Sequence, residues 1–333
     1  MDVLLKTLVK LLMTLALAGC VAHGEAVVVP VTKDATLHDI LFATNRVPNN
    51  QLYGNVRSNA LSFGEICVSV PSGHRLGVVE YPDKSPDPQT NFGIVAAATT
   101  VDPRGFDQML DKQISKRAKG ERNAIVYVHG FNNSFAEALY MNAQLLHDYK
   151  RKDIPVMFSW PSAGENFAYL HDRDSIMFSR SALETLLDQL QASNIESFSI
   201  VGHSIGSQLV VEVLRQRAIR NNGAQWSKLR STALVSPDID VELFEQQAID
   251  MGGLPQPFFV IASENDRLLQ LSGILSGSNV RLGAIGDADR LDASDATLMS
   301  ATFAADIWSS NHTTAFQSRD MIELLRAFAP SED

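Results

Sequence analysis

The residues best placed to do chemistry sit in one five-residue turn, Gly202-His203-Ser204-Ile205-Gly206. This is the G-x-S-x-G pattern, which is meaningful only where a strand enters the turn and a helix leaves it. A chain that passes from strand to helix within one residue forces its central residue into strained backbone angles. Glycine on either side relieves the crowding. The hydroxyl then stands at the mouth of a sheet, with the N–H groups of a helix start behind it, ready to attack a carbonyl. Such a serine needs a base, an acid to orient the base, and a site for the developing oxyanion. Around this kind of turn the chain order is serine, acid, histidine. Of the eight histidines only His312 follows Ser204, so elimination makes it the base. His203 adjoins the serine and is expected to point away from it, and His129 belongs to a strand-end turn. For the acid, Asp266 is preferred over Asp238, with Glu264 third, since each lies just past a late apolar run. The oxyanion site is assigned to the backbone N–H groups of Ile205 and of Phe131, the latter in the turn opened by His129-Gly130.

The flanking elements fit that chemistry. Phe198-Ser199-Ile200-Val201 reads as a buried strand, and Leu209, Val210, Val213 and Leu214 recur at helical spacing. From Ala124 onward strands and helices alternate, the signature of a parallel sheet covered on both faces. The strands are 124–128, 156–160, 198–201, 232–235 and 258–262, with helices over 135–149 and around 180–190. Each strand runs into a polar segment at its C-terminal end, the edge where open α/β sheets bind ligands. Before Ala124 the pattern predicts strands at 40–44, 65–70 and 75–80, an exposed loop at 82–88, and a helix over 106–119. The fold class is therefore α/β: a mostly parallel central sheet with helices on both faces and an antiparallel N-terminal part. Phe131, Trp160, Phe167 and Tyr169 suggest an apolar rim to the pocket, with a place in the core as the alternative.

A chain of 333 residues, 45% hydrophobic, can bury one large core. Its formal net charge of −10, with no basic stripe, argues against nucleic acid as a partner. Residues 1–19 have the layout of a secretory signal, with Lys6 and Lys10 beside an apolar run. The ending Leu17-Ala18-Gly19-Cys20 resembles a bacterial lipobox, in which the cysteine is acylated; an uncleaved anchor or a plain signal cut near Ala18 is the alternative. With Val21 rather than aspartate next, the outer membrane is favoured over the inner as the destination of a protein anchored at Cys20. Residues 20–35 are read as a tether and 36–330 as one domain, divided into 36–120 and a catalytic core over 121–330. Cys67, the other cysteine, lies in the alternating run Ile66-Cys67-Val68-Ser69-Val70 and is expected in the core rather than in a disulfide. No metal-ligand spacing is present, and no metal or organic cofactor is implied.

Several stretches together resemble a bacterial α/β-hydrolase family long catalogued as a domain of unknown function. They are Val128-His129-Gly130-Phe131-Asn132-Asn133-Ser134-Phe135, Phe158-Ser159-Trp160-Pro161-Ser162, Tyr169-Leu170-His171-Asp172-Arg173-Asp174-Ser175, the serine turn, and Ser236-Pro237-Asp238-Ile239-Asp240. The opening Phe42-Ala43-Thr44-Asn45-Arg46 and Phe63-Gly64-Glu65 extend the likeness. The resemblance implies Ser204 as nucleophile, Asp266 as acid and His312 as base, and ester hydrolysis as the chemistry. It departs at Thr313-Thr314, where relatives have Ser-Tyr. Asp172 and Asp174 enter as structural or pocket residues. The expectation is an envelope serine hydrolase, a carboxylesterase or lipase-like enzyme acting on acyl esters. An idle hydrolase fold serving as a scaffold is the alternative, as is an acyltransferase or peptidase on the same triad. Sequence leaves the oligomeric state open.

Overall fold

The computed structural model describes residues 24–50, 52–96, 99–277, 280–286, 295–305 and 310–327. Its centre is a ten-stranded sheet. The strands are β1 (Thr36–Asn49), β2 (Leu52–Val70), β3 (Gly93–Ile94), β4 (Thr99–Val101), β5 (Asn123–Val128), β6 (Ile154–Ser159), β7 (Ser197–His203), β8 (Leu229–Val235), β9 (Phe258–Ala262) and β10 (Thr297–Ser300). They lie in the order β10-β9-β8-β7-β5-β6-β1-β2-β3, with β4 also on β2. From β10 to β1 every pairing is parallel, and only β2, β3 and β4 run antiparallel. The expected α/β class, with its antiparallel N-terminal part, is what the chain forms.

Alternation along β5 explains the two layers. Ala124, Val126 and Val128 face a core built with helices α1 (Pro103–Ser115), α3 (Tyr169–Phe178), α4 (Arg180–Ala192), α5 (Ile205–Arg220) and α6 (Val241–Met251). Tyr127 and Ile125 face the other side. There α2 (Phe135–Asp148), the short α8 (Thr314–Gln317) and α9 (Arg319–Ala327) cover the sheet. The helix that precedes these last two in chain order, α7 (Arg267–Ser276), stands at the sheet's C-terminal edge, because it follows β9 after a short loop. Starts are marked by side chains: Ser134 and Glu137 form a reciprocal capping box on α2, and Asp240 caps α6.

The N-terminal part differs from expectation in several places. Residues 75–80 form a loop rather than a strand: Gly77 takes φ +81, and Glu80 turns back to accept from the Arg75 N–H at 2.9 Å. His74 bridges Glu80 and Asp148 at 2.8 Å each, which fixes that loop against the end of α2. Residues 40–44 and 65–70 are segments of one long hairpin, β1–β2, whose half-polar outer portion hides the strand alternation. Cys67 is half-buried on the face opposite Ile66 and Val68, and burial with an Asp39 hydrogen bond pushes its thiol up to about 12. The segment read as a tether is packed from Gly24 onward. Val29 is buried, its N–H donates to Ile94 O, and the Ile94 N–H donates to Val27 O, both at 2.9 Å. The secretory signal expected over residues 1–19 and the lipidation expected at Cys20 lie outside the described residues.

Candidate active site

Ser204 sits between β7 and α5 with φ +52 and ψ −126, a backbone conformation few side chains accept. Three backbone hydrogen bonds hold it there: its N–H donates to Val235 O, and its carbonyl accepts from the Ser207 and Asp238 N–H groups. The glycines on either side are required by space. A Cβ on Gly202 would come 2.8 Å from Ser207 Cα, and one on Gly206 would come 2.2 Å from His129 O. Elbow and β5 loop are thus pressed together. A Cβ on Gly130 would stand 3.1 Å from Ser204 Cβ.

His312 arrives from a loop after β10, far along the chain. Its Nδ1–H donates to Asp266 Oδ2 at 2.8 Å, so Nε2 is left as the acceptor. Asp266 is fully buried at the N-cap of α7, where its other oxygen accepts the Leu269 N–H at 3.0 Å. The two loops are tied together by the Arg267 N–H to Ser310 O, and by Asn311 Nδ2 to Asn265 O. Thr314 Oγ1 donates to Asn311 O and closes the turn behind His312. Ser204 and His312 line one cavity of about 620 Å³, with Phe131, Phe167, Tyr169 and Leu271 among its other walls.

Asp238 also reaches that cavity but turns to other partners. It accepts from Tyr169 Oη at 2.7 Å and from Ser272 Oγ at 2.8 Å, and it pairs with buried Arg281 at 3.3 Å. Glu264 is exposed. The structure therefore brings Asp266, and neither of the alternatives, to His312. Ile205 is the first residue of α5, where an N–H has no partner within its own helix. Phe131 lies on the cavity wall opposite, its ring edge-on to Tyr169.

Four residues carry structure that the sequence reading had left unspecified or had placed differently. His203 does not simply turn away: its ring packs 5.1 Å from that of His312 and 5.0 Å from Phe316, and supports the base from behind. Burial first, then the neighbouring His312, hold its pKa well below the usual imidazole value, so it stays neutral. Trp160 is no rim residue; it is fully buried, stacked on His129 at 4.7 Å, and donates to His129 O. Arg46 is buried beneath the loop, donating to Ser159 Oγ and to the carbonyls of Gly54 and Asn133. Burial lowers its pKa to about 9 against the pull of Asp172 and Glu137, which leaves it charged at neutral pH. Asp172, fully buried, accepts from Ser162 Oγ at 2.6 Å and from the N–H groups of Ala163 and Asn132 at 2.7 and 3.4 Å. It staples the loop carrying Phe131 to the start of α3. Asp174 is exposed. The signal for Arg46 and Asp172 was a charged residue inside each matched motif, next to residues destined for burial.

The family described as "Alpha/beta hydrolase of unknown function (DUF900)" matches this chain over residues 103–322. No curated protein matches. Among solved structures, carboxyl esterase 2 from Tuber melanosporum is similar at 10% identity and TM-score 0.36, over 91% of this chain and 89% of that one. Esterase B from Lactobacillus rhamnosis is similar at 15% identity and TM-score 0.39, over 78% and 86%. An esterase from Pyrobaculum calidifontis is similar at 12% identity and TM-score 0.35, over 88% and 83%. All three are remote likenesses.

Proposed function

Since the chain belongs to the alpha/beta hydrolases of unknown function, we propose that it is a serine carboxylesterase or lipase-like acyl hydrolase of the cell envelope, anchored through an acylated Cys20. The observation that carries this reading is the 2.8 Å hydrogen bond from His312 Nδ1 to fully buried Asp266, with the strained Ser204 on the same cavity. Ser204 Oγ attacks the ester carbonyl while His312 Nε2 takes its proton, and Asp266 stabilises the imidazolium so formed. The carbonyl oxygen becomes an anion received by the N–H groups of Ile205 and Phe131. On collapse the C–O bond to the alcohol breaks, and His312 returns the proton to the leaving alkoxide. Water, deprotonated by His312, then attacks the acyl-enzyme and releases the acid, regenerating Ser204. Phe131, Phe167, Leu268 and Leu271 on the cavity wall suit an apolar acyl chain.

The test is labelling by a fluorophosphonate probe. The wild type is expected to label and Ser204→Ala not at all, while His312→Ala labels at a rate at least about 10³-fold slower. A folded wild-type protein that never labels refutes the reading.

A further inference from the structure

Phe167, Leu268 and Leu271 on the cavity wall are continued on α3 and α7 by further apolar side chains that the body of the protein does not bury. Phe167 is 91% exposed and Leu170, the second residue of α3, is 75% exposed. On α7, Leu268, Leu271 and Ile274 recur every third residue and are 49%, 52% and 77% exposed. Every third or fourth residue of a helix faces one way, so these three form a single stripe. The stripe carries no acid: α7, RLLQLSGILS, has one charged residue in ten, Arg267 at its start. In a chain with a net charge of −10 this is an unusual surface. Scattered apolar residues need no explanation, but a cluster running out from one cavity wall does.

A second observation says what covers it. The described chain begins at Gly24, and Gly24 is held at the same edge of the sheet as that opening. Ser134 Oγ donates to Gly24 O at 3.3 Å, and the Gly24 N–H reaches Glu137 Oε1 at 3.4 Å. Ser134 is the N-cap of α2, next in sequence to Asn133 of the cavity wall. From Val29 the chain climbs beside α2, with Tyr140 Oη donating to Glu25 O, and reaches Gly24 at the catalytic edge. Cys20 lies four residues further back, a span of at most about 14 Å for extended chain. An acylated Cys20 therefore delivers a bilayer to the side of the molecule on which the cavity opens.

We propose that the ring formed by Phe167, Leu170 and the Leu268–Leu271–Ile274 stripe is a membrane-docking surface, and that the enzyme draws its acyl esters from the lipid surface it sits on. The proposal rests on the reading above twice, on hydrolysis for its substrate and on acylation of Cys20 for where the bilayer lies. Apolar side chains at such a surface lodge among the headgroups and upper acyl chains, with a strength that scales with the apolar area they bury. The cavity mouth would then open into lipid. An ester with long acyl chains could pass from the bilayer to Ser204 without crossing water, whereas a soluble ester gains nothing from the ring.

The experiment uses the full acylated chain on unilamellar phosphatidylcholine vesicles containing a fluorogenic long-chain diacylglycerol ester. Leu170 and Ile274 belong to the ring but not to the cavity wall, so the double variant Leu170→Ser/Ile274→Ser leaves the wall intact. Its turnover of soluble p-nitrophenyl butyrate is expected to stay within about twofold of wild type, while turnover of the vesicle ester falls about tenfold or more. An equal effect on both substrates, or none on either, overturns the proposal. So does conversion of a wild-type dimer to a monomer with vesicle turnover unchanged, which would assign the ring to a second copy. Docking is also read without catalysis. Tryptophan placed by Leu170→Trp should be quenched by brominated phosphatidylcholine beyond the quenching of wild type. If it is quenched but no ester is cleaved, docking stands and the hydrolase reading fails; if it is not quenched, docking is wrong whatever the activity.

Discussion

Two aspartates reach the neighbourhood of the cavity, and their partners separate their roles. Asp266 gives one oxygen to His312 and the other to the start of α7, so the carboxylate cannot rotate without losing a bond. Asp266→Asn can keep the α7 cap, but it presents an amide or an uncharged acceptor to an imidazole that must become positive. We expect kcat to fall about 10³- to 10⁴-fold with the thermal midpoint nearly unchanged. Asp238 neutralises Arg281 in a nearly dry setting, with side chains 5% and 7% exposed. Removing one partner of a buried pair strands the other, at a cost of about 3–5 kcal/mol in the fully buried case. Asp238→Asn is therefore expected to lower the thermal midpoint by several degrees and to raise KM, with kcat within about tenfold of wild type. Steady-state kinetics and calorimetry on the two variants would decide it; a larger kcat loss in Asp238→Asn would exchange their roles. Both acids were visible in the sequence as carboxylates past late strands. What separated them was the position of His312 after a further strand and loop, which is a long-range fact.

At the scale of elements, the elbow is a contact between two turns, and its glycines report how close that contact is. Gly206 cannot accept a methyl group: His129 O would lie 2.2 Å from it, and that carbonyl also accepts the Trp160 indole N–H. Neither side can yield without moving the β5 loop. Gly130 is tighter than ordinary contact but not blocked, with His203 Nδ1 at 3.0 Å and Ser204 Cβ at 3.1 Å. The two alanine variants should therefore part company. Gly206→Ala is expected to lose several kcal/mol of stability or fail to fold, in the manner of an overpacked core. Gly130→Ala is expected to fold with a thermal midpoint within a few degrees of wild type and to lose at least about tenfold in kcat, because a small shift of the Phe131 loop misplaces one oxyanion donor. Equal stability in both variants would show that the contact is softer than this. The same contrast explains what could be read in advance. The elbow is local, and five residues between a strand and a helix disclose it. The layer below is not local: Arg46 comes from β1, Ser159 from β6 and Asp172 from α3. The motif residues were visible, but only the sheet order β5-β6-β1 shows why a buried guanidinium ends up under the loop that carries Phe131. The outer part of the β1–β2 hairpin was missed for another reason. It stands away from the core, so its alternation of polar and apolar residues is weak.

For the molecule as a whole, the imidazoles set how stability changes with pH. Burial, with Arg46 close by, pushes His129 down to about 3, and burial with His147 nearby pushes His38 down to about 4. His203 is also held well below its ordinary value. In the unfolded chain each of these takes a proton near pH 6.5, while the folded protein refuses it. The unfolded state therefore binds more protons below pH 6.5, and stability must fall as pH falls, by up to about 1.4 kcal/mol per pH unit for each such group. The fall from His38 is complete near pH 4, and that from His129 near pH 3. His74 acts in the opposite window. Burial works against its charge, yet its bonds to Asp148 and Glu80 outweigh burial and raise its pKa. Its contribution is fully present below pH 6.5 and is lost only as pH rises through the folded value, so it adds no slope on the acid side. Asp148 and Asp39 are held below the ordinary carboxylate value and lose their contribution only under more acid conditions. Between pH 6.5 and 4 the decline thus belongs to the neutral buried histidines. Urea midpoints measured across that range should fall steadily. His203→Phe keeps a ring between His312 and Phe316 but cannot take a proton, so its midpoint should fall less steeply while esterase activity drops. If wild type and His203→Phe follow parallel curves, His203 is not one of the groups that make the fold acid-sensitive.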